Sequence, residues 1–239
     1  MKMSTNNKKK LIFLDVDDTF LTPPYDAAVK GSKLLRYKSF PSEIDFQNRS
    51  HVDFHNSFPE IFRTKNQVWL LVLASLPFGF FRSYKLFPEL NKDQMTKIIK
   101  DECVHLVSKN PPLFKKMRVR RLYEIFQVNI SSRYHACGPI LKKSTPKIDI
   151  IREIANENKA ELTNCILMDD DLNNLIEPRK AGVRCYLIHT SWNTSKETLQ
   201  ICKDNDINIV PRKLMINIIN DFKNEEEKCI ESNNICASI

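Results

Sequence analysis

A short apolar run with charged residues on both sides is the feature that most constrains the fold of this chain. The run Leu11 to Leu14 follows three lysines and is followed directly by Asp15, with Asp17 and Asp18 close behind. An apolar run of this length without a polar position is typical of a central parallel strand buried on both faces. Ligands of open α/β sheets bind beyond the carboxyl ends of such strands, so Asp15 is predicted to lie where a ligand binds.

Three further apolar runs resemble the first, and helical patterns lie between them. They are Val68 to Ala74, Cys165 to Met168 and Val183 to Ile188. The clearest helical pattern is Pro146 to Lys159, in which isoleucines recur at helical spacing. Strands that alternate with helices predict an α/β fold, a three-layer Rossmann-like parallel sheet with helices on both faces.

The length of the chain predicts one domain over residues 1–223. The segments 22–66 and 76–143 are longer than simple connections, and we expect one of them to form a small cap insertion. Residues 224–239 are mostly polar and are predicted to form a frayed or disordered C-terminal tail. The longest apolar stretch, Val68 to Phe81, is too short and too interrupted to span a membrane, so we expect no membrane partner.

Charge and cysteine content narrow the setting but not the substrate. The net charge is +8, which suits an anionic partner such as a phosphoester, a nucleic acid or an acidic membrane surface. Seven cysteines are scattered without a CxxC pair, which favours a reduced compartment over a zinc or redox centre. Because Asp15 interrupts the apolar run behind the first lysines, we predict no signal peptide and a cytoplasmic location.

Polar residues of the types that bind metal or phosphate follow three of the four runs. In chain order they are Asp15, Asp17 and Asp18, then Ser75, then Asp169 to Asp171 with Asn173 and Asn174, and Lys147 begins the helix before the third run. Carboxylates gathered at one sheet edge repel one another unless a cation neutralises them or protons are taken up. An all-oxygen set of this kind suits Mg²⁺.

The residues Leu11 to Thr19 resemble the first motif of the haloacid dehalogenase superfamily, four apolar residues followed by Asp-x-Asp-x-Thr. Val68 to Ser75 is similar to the second motif, an apolar strand ending in Ser or Thr, and Lys147 to the lysine of the third. The fourth motif, an acidic pair with Asp or Asn downstream, looks like Asp169 to Asn174. The motifs occur in the order of the family, and the resemblance covers the core, residues 11–189.

This resemblance implies a magnesium-dependent phosphatase that hydrolyses phosphomonoesters through an aspartyl-phosphate intermediate. Asp15 would be the nucleophile, and Asp17 the general acid and base. Ser75 and Lys147 would bind the phosphoryl group. The substrate would be a phosphorylated small molecule or a phosphoprotein, and its choice would depend on the unmatched segments.

The resemblance also implies how Mg²⁺ is held. Asp15, the carbonyl of Asp17 and Asp170 would be ligands, and Asn174 or Asp169 would support that shell. Asp18 adds a carboxylate where Gly, Asn or Glu is more usual in the family, so it is expected to turn outward or to cap the following helix.

Some alternatives stay open. Lys142 and Lys143 compete with Lys147 for the third motif, although Lys147 lies closer to the fourth motif. A chain that keeps this fold but has lost turnover would be a binding or regulatory protein. The basic run Lys115 to Arg121 and the net charge suggest a nucleic-acid end-processing phosphatase, although a solvated helix face explains the run more simply. His135 and Cys137 are interpreted as strand residues rather than as half of a metal site.

Overall fold

The computed structural model describes residues 9–22, 25–34, 74–138, 145–190, 193 and 195–236. Its strands are β1 (Leu11–Leu14), β2 (Leu21–Thr22), β3 (Lys85–Leu86), β4 (Val104–Ser108), β5 (Tyr134–Ala136), β6 (Cys165–Asp169), β7 (Arg184–His189) and β8 (Asn208–Pro211). Its main α-helices are α1 (Tyr25–Leu34), α2 (Lys92–Lys100), α3 (Lys115–Phe126), α4 (Lys147–Glu157), α5 (Ile176–Lys180), α6 (Lys196–Asp204) and α7 (Met215–Cys236).

Six strands form one parallel sheet in the order β5-β4-β1-β6-β7-β8. β1 has β4 as its neighbour on one side and β6 on the other. The chain therefore adds β4 and β5 on one side of β1 and then β6, β7 and β8 on the other side. Such a switch point leaves a crevice at the carboxyl ends of the strands, where ligands bind in open α/β sheets.

Apolar side chains alternate between the two faces of the sheet, and helices cover both faces. On one face Ile12 and Leu14 of β1 pack in a core with α2, α3 and α7. On the other face Leu11 and Phe13 of the same strand pack with α4 and with Cys202 of α6. The sheet is therefore the middle of three layers, and the predicted fold class is confirmed. The predicted helix over residues 146–159 agrees with α4 to within two residues at each end.

The predicted strand end at Ala74 and Ser75 and one predicted insert are wrong. Residues 68–73 lie outside the described residues, but Ala74 and Ser75 are helical and do not end a strand of the sheet. The segment 76–143 is no insert, because it supplies β4 and β5 of the sheet together with α2 and α3. The apolar pattern does not reveal the strand Val104 to Ser108, because His105 is polar. In the structure His105 is buried in the sheet and stacks on Phe13, with ring centroids 5.7 Å apart.

The second sheet is a small antiparallel ribbon of β2 and β3, with Leu21 opposite Leu86 and Thr22 opposite Lys85. Residues 23–84 lie between these two strands, so the chain leaves and re-enters the core at one place. Of this segment, 35–73 lie outside the described residues, and the cap expected in 22–66 stays a prediction.

The last helix crosses the boundary predicted at residue 224. α7 runs from Met215 to Cys236, so the segment for which polar composition predicted fraying is assigned as helix up to Cys236. Met215, Ile219 and Phe222 recur at helical spacing and pack in the core, and Glu225 pairs with Arg184 of β7 at 2.7 Å. The ion pair of Glu225 ties the helix to β7 one residue past the predicted boundary. Among the described residues, no helix combines the length and apolar character that crossing a membrane requires.

Candidate active site

The site begins where β1 ends. The amide nitrogen of Asp15 donates to the carbonyl of Met168 at 2.9 Å, so the ends of β1 and β6 are joined directly in front of their acidic residues. The chain then turns sharply, and Phe20 and Leu21 both donate to the carbonyl of Val16. This turn returns the chain to β2 and leaves the side chain of Asp15 buried at the carboxyl edge of the sheet.

Lys147 lies between two of the predicted site carboxylates. It is the first residue of α4 and its side chain is 2% exposed. Its ammonium contacts a carboxylate oxygen of Asp15 and lies 2.6 Å from Oδ2 of Asp169. The structure thus brings the predicted third motif to the first and fourth motifs. Lys142 and Lys143, the competing candidates, lie outside the described residues.

Three carboxylates converge beside this lysine. Asp15, Asp169 and Asp170 each offer an oxygen, and these oxygens all lie within 4.8 Å of one another. Burial raises the pKa of Asp15 to about 8; Lys147 opposes this shift, and the charges of Asp169 and Asp17 add to it. Burial also raises the pKa of Asp170 well above its usual value, with the charges of Asp18, Asp15 and Asp169 contributing. The raised pKa values favour the protonated forms of Asp15 and Asp170 in this crowded acidic region.

The donor set fits a hard divalent cation. Four buried carboxylates, those of Asp15, Asp18, Asp169 and Asp170, lie in this region with Lys147 as the buried ammonium. A metal bound by Asp15 and Asp170 would neutralise the charge that the raised pKa values report. The donors are oxygens, which Mg²⁺ and related hard ions prefer.

Neighbouring polar groups orient the carboxylates. Oδ1 of Asp169 accepts from the amide nitrogen of Asp171 at 2.9 Å and from Nδ2 of Asn174 at 3.1 Å. Asn174 therefore supports Asp169, as expected for a residue behind the ligands. The hydroxyl of Thr19 donates to Asp170 at 3.0 Å, and Asn193 donates to the Asp170 carbonyl at 3.1 Å. Neither contact was predicted from the sequence.

The carboxylate of Asp17 lies apart from the cluster formed by Asp15, Asp169 and Asp170. One of its oxygens accepts from Nδ2 of Asn110 at 2.7 Å, and both oxygens contact the guanidinium of Arg118. Its predicted contribution to metal binding is through its carbonyl. The hydrogen bonds that close the turn use the carbonyls of Val16 and Leu21 as acceptors.

Ser75 does not occupy the strand-end position predicted for the second motif. It lies in a helical turn against α1, and a Cβ on Gly31 of that helix would come within 2.2 Å of its hydroxyl oxygen. The serine at the end of a strand beside β1 is Ser108, which is fully buried. Its hydroxyl oxygen accepts from Nδ2 of Asn110 at 2.8 Å. The sequence signal for Ser108 was the run Val104 to Val107 directly before it.

Asp18 does not turn outward as expected. It is buried, its backbone has a φ of 54°, and its charge helps to raise the pKa of Asp170. Arg212 donates to the carbonyl of Asp18 at 2.6 Å and to that of Thr19 at 2.9 Å, so the turn is held from the far end of the chain. The additional carboxylate therefore belongs to the acidic region of the site.

Comparison with solved structures bears on the fold as a whole. A haloacid dehalogenase-like hydrolase from Streptococcus pneumoniae aligns at 14% identity with a TM-score of 0.57, over 88% of this chain and 98% of its own. A predicted phosphoglycolate phosphatase from Haemophilus somnus aligns at 15% identity and TM-score 0.56, over 88% and 97%. A predicted phosphatase from Clostridium acetobutylicum aligns at 16% identity and TM-score 0.58, over 89% and 98%.

The chain has the haloacid dehalogenase-like fold. No family model matches the sequence, and no curated protein matches it significantly. In this haloacid dehalogenase-like fold, Asp15, Ser108 and Asp169 all stand at the carboxyl ends of neighbouring strands. His135 lies in β5 as interpreted from the sequence, and its Nε2 is 3.3 Å from Nδ1 of His105.

Proposed function

We propose that this chain is a magnesium-dependent phosphatase that hydrolyses a phosphomonoester through an aspartyl phosphate on Asp15. The observation that carries the proposal is the position of Asp15 at the carboxyl end of the central strand. There its carboxylate contacts Lys147 and lies close to two further carboxylates. The haloacid dehalogenase-like fold supports it, because hydrolases and phosphatases are among its structural neighbours.

The chemistry proceeds in two displacements. A carboxylate oxygen of Asp15 attacks phosphorus, an O–P bond forms, and the ester O–P bond breaks as the leaving oxygen takes a proton from Asp17. A water molecule then attacks the aspartyl phosphate while Asp17 removes its proton. Inorganic phosphate leaves, and Asp15 is restored as a carboxylate.

The remaining groups compensate negative charge and orient the reacting atoms. Lys147 offsets the negative charge of Asp15 and of the phosphoryl group, and its contact with Asp169 keeps the ammonium in place. Ser108 replaces Ser75 as the hydroxyl that hydrogen-bonds a phosphoryl oxygen. Mg²⁺, bound by Asp15, the Asp17 carbonyl and Asp170, would supply positive charge beside the transferring group. Asp169 and Asn174 would orient this shell.

The substrate we propose is a phosphorylated small molecule or a phosphoprotein. The alternative of nucleic-acid end processing relied on the basic run Lys115 to Arg121. Two of its cations are engaged with the protein, because Arg118 contacts Asp17 and Arg121 donates to the carbonyl of Tyr84 at 2.6 Å. This leaves a smaller surface for phosphate backbones than the sequence suggested. Five cysteines are free thiols, in keeping with the cytoplasmic location that we propose: Cys103, Cys137, Cys165, Cys185 and Cys202.

Phosphate release from 4-nitrophenyl phosphate, with and without Mg²⁺, tests the function. We expect metal-dependent turnover by wild type and none by Asp15→Asn, while Asp93→Asn, an exposed carboxylate in the first turn of α2, keeps full activity. Acid quenching should trap a hydroxylamine-sensitive phosphoenzyme in wild type alone. Wild type that binds Mg²⁺ but hydrolyses no member of a broad phosphomonoester panel would favour the binding or regulatory alternative.

A further inference from the structure

Arg118 is buried to an extent that is unusual for an arginine. Its side chain is 1% exposed, although it belongs to a helix whose neighbouring cations Lys116 and Arg120 face solvent. A guanidinium placed in a protein interior is strongly destabilising unless it is paired. The burial of Arg118 therefore calls for a partner that its position on α3 brings within reach.

Asp17 is that partner. The guanidinium contacts both oxygens of the Asp17 carboxylate, 101 residues away in the sequence, and its Cζ lies 3.8 Å from the centre of the Tyr84 ring. Stacking on an aromatic ring holds a guanidinium plane in one orientation. Its Nε makes no hydrogen bond among the described residues, so the Asp17 contacts dominate its polar interactions.

The guanidinium of Arg118 contacts Asp17 from the interior of the protein. The Asp17 side chain is 27% exposed whereas that of Arg118 is 1% exposed, so the carboxylate is held from behind and remains accessible in front. Asn110 holds one oxygen of Asp17 at 2.7 Å, and the same Nδ2 lies 2.8 Å from the hydroxyl oxygen of Ser108. The carboxylate orientation is thus defined relative to the strand-end serine of the site.

We propose that Arg118 is a positioning residue that orients the Asp17 carboxylate for proton transfer, an inference that rests on the phosphatase function proposed above. Proton transfer requires the carboxylate to lie within hydrogen-bond reach of the leaving oxygen, in a geometry that a freely rotating side chain keeps only part of the time. Without Arg118, Asp17 keeps its chemical group but loses its orientation.

The prediction separates substrates by their leaving group. Phenyl phosphate and 4-nitrophenyl phosphate differ little in size, but the phenolate needs protonation far more than the 4-nitrophenolate does. Arg118→Met should lower kcat/KM for phenyl phosphate by roughly ten-fold more than kcat/KM for 4-nitrophenyl phosphate. The ratio kcat/KM reports the displacement in which the leaving oxygen is protonated, and general acid catalysis contributes about 10²–10⁴-fold. Arg118→Lys, which retains the charge without the planar fork, should restore part of this ratio.

Arg121→Met is the matched control. Arg121 lies on the same helix, but it donates to the Tyr84 carbonyl and to the carboxylate of Glu124 rather than to Asp17. Its loss should leave the ratio of the two kcat/KM values at the wild-type level. In an Asp17→Asn background, Arg118→Met should not change the ratio further, because the group that it positions is already absent.

The possible results are distinct. A change in the ratio in Arg118→Met that is absent in Arg121→Met supports the positioning role. Equal losses of kcat/KM on both substrates, or none, would show that Arg118 serves only structure, while activity of wild type would leave the proposed function intact. If wild type hydrolyses neither ester, the proposed function fails and this inference fails with it. Should Arg118→Met not fold, Arg118→Lys decides the same question through the same ratio.

Discussion

The ammonium of Lys147 lies 2.6 Å from the carboxylate of Asp169, and both side chains are almost completely buried. The pair joins the start of α4 to the end of β6, elements that are separated in sequence by the rest of the helix and its connection. Because the same ammonium also contacts Asp15, one positive charge serves two acidic groups.

Replacing Lys147 by methionine should abolish phosphatase activity and lower the free energy of unfolding by about 3–5 kcal/mol, since buried carboxylates lose their compensating charge. Lys109→Met is the control, because Lys109 pairs with Asp171 but its side chain is 57% exposed. That change should cost no more than about 1 kcal/mol. Chemical denaturation of both variants provides the comparison, and equal losses would contradict the special role of Lys147.

The strand-end position predicts different effects for two buried serines. Ser108→Ala should reduce kcat by roughly 10²-fold, a typical cost of removing one donor to a developing oxyanion. Ser75→Ala should leave kcat near the wild-type value, because Ser75 packs against α1 rather than ending a strand. Steady-state kinetics on one aryl phosphate measures both. A loss of kcat in the Ser75 variant without loss of stability would restore the assignment made from the sequence.

Stability should depend on pH through Asp15, whose pKa is raised to about 8 by burial, with Lys147 opposing and Asp169 and Asp17 adding to the effect. Between pH 3.8, the ordinary pKa, and about 8, the folded metal-free protein holds a proton that the unfolded chain has lost. The contribution of Asp15 to the free energy of unfolding should therefore fall as pH rises through this window. Asp15→Asn should show a flatter dependence.

Mg²⁺ should take over the role of that proton. The increase in Tm caused by Mg²⁺ should grow between about pH 6 and about pH 9, because the metal competes with protons for the same carboxylates. Thermal denaturation with and without the metal at each pH measures the effect. An increase in Tm that shrinks with rising pH would argue against metal binding by these carboxylates.

The histidine pair predicts a change on the acid side. Burial lowers the pKa of both His105 and His135 to about 4, and nearby positive charges add to the shift. The histidines of the unfolded chain take up protons near pH 6.5, before those of the folded chain do. The contribution of this pair to stability should therefore fall as pH decreases from about 6.5 towards 4. Urea denaturation should show a smaller fall for a His105→Gln, His135→Gln double variant than for wild type. Identical pH profiles would contradict neutral buried histidines.

Much of the fold could be predicted because the local sequence pattern is enough to identify several central strands. Leu11 to Leu14 and Cys165 to Met168 are buried on both faces, so every position is apolar. The strand containing His105 could not be found this way, because an imidazole stacked in the sheet breaks the apolar pattern. The uninterrupted apolar run Val68 to Ala74 is therefore predicted as a strand instead.

The site divides in a similar manner. Asp15 and Asp169 could be predicted because they directly follow buried strands, and the sheet brings the strand ends together. Arg118 and Arg212 could not, because each reaches the turn after β1 from a distant element. Their partners follow from tertiary packing, which leaves no spacing signal in a single sequence.

The pairing of Thr22 with Lys85 has a consequence for how such a chain can change. Since the segment between them departs and returns at adjacent residues, it is topologically a closed excursion from the core. Insertions or deletions in its interior leave the register of the six parallel strands untouched, and loop closure makes added length inexpensive. A change in the length of this segment can thus leave the acidic residues at the strand ends in place.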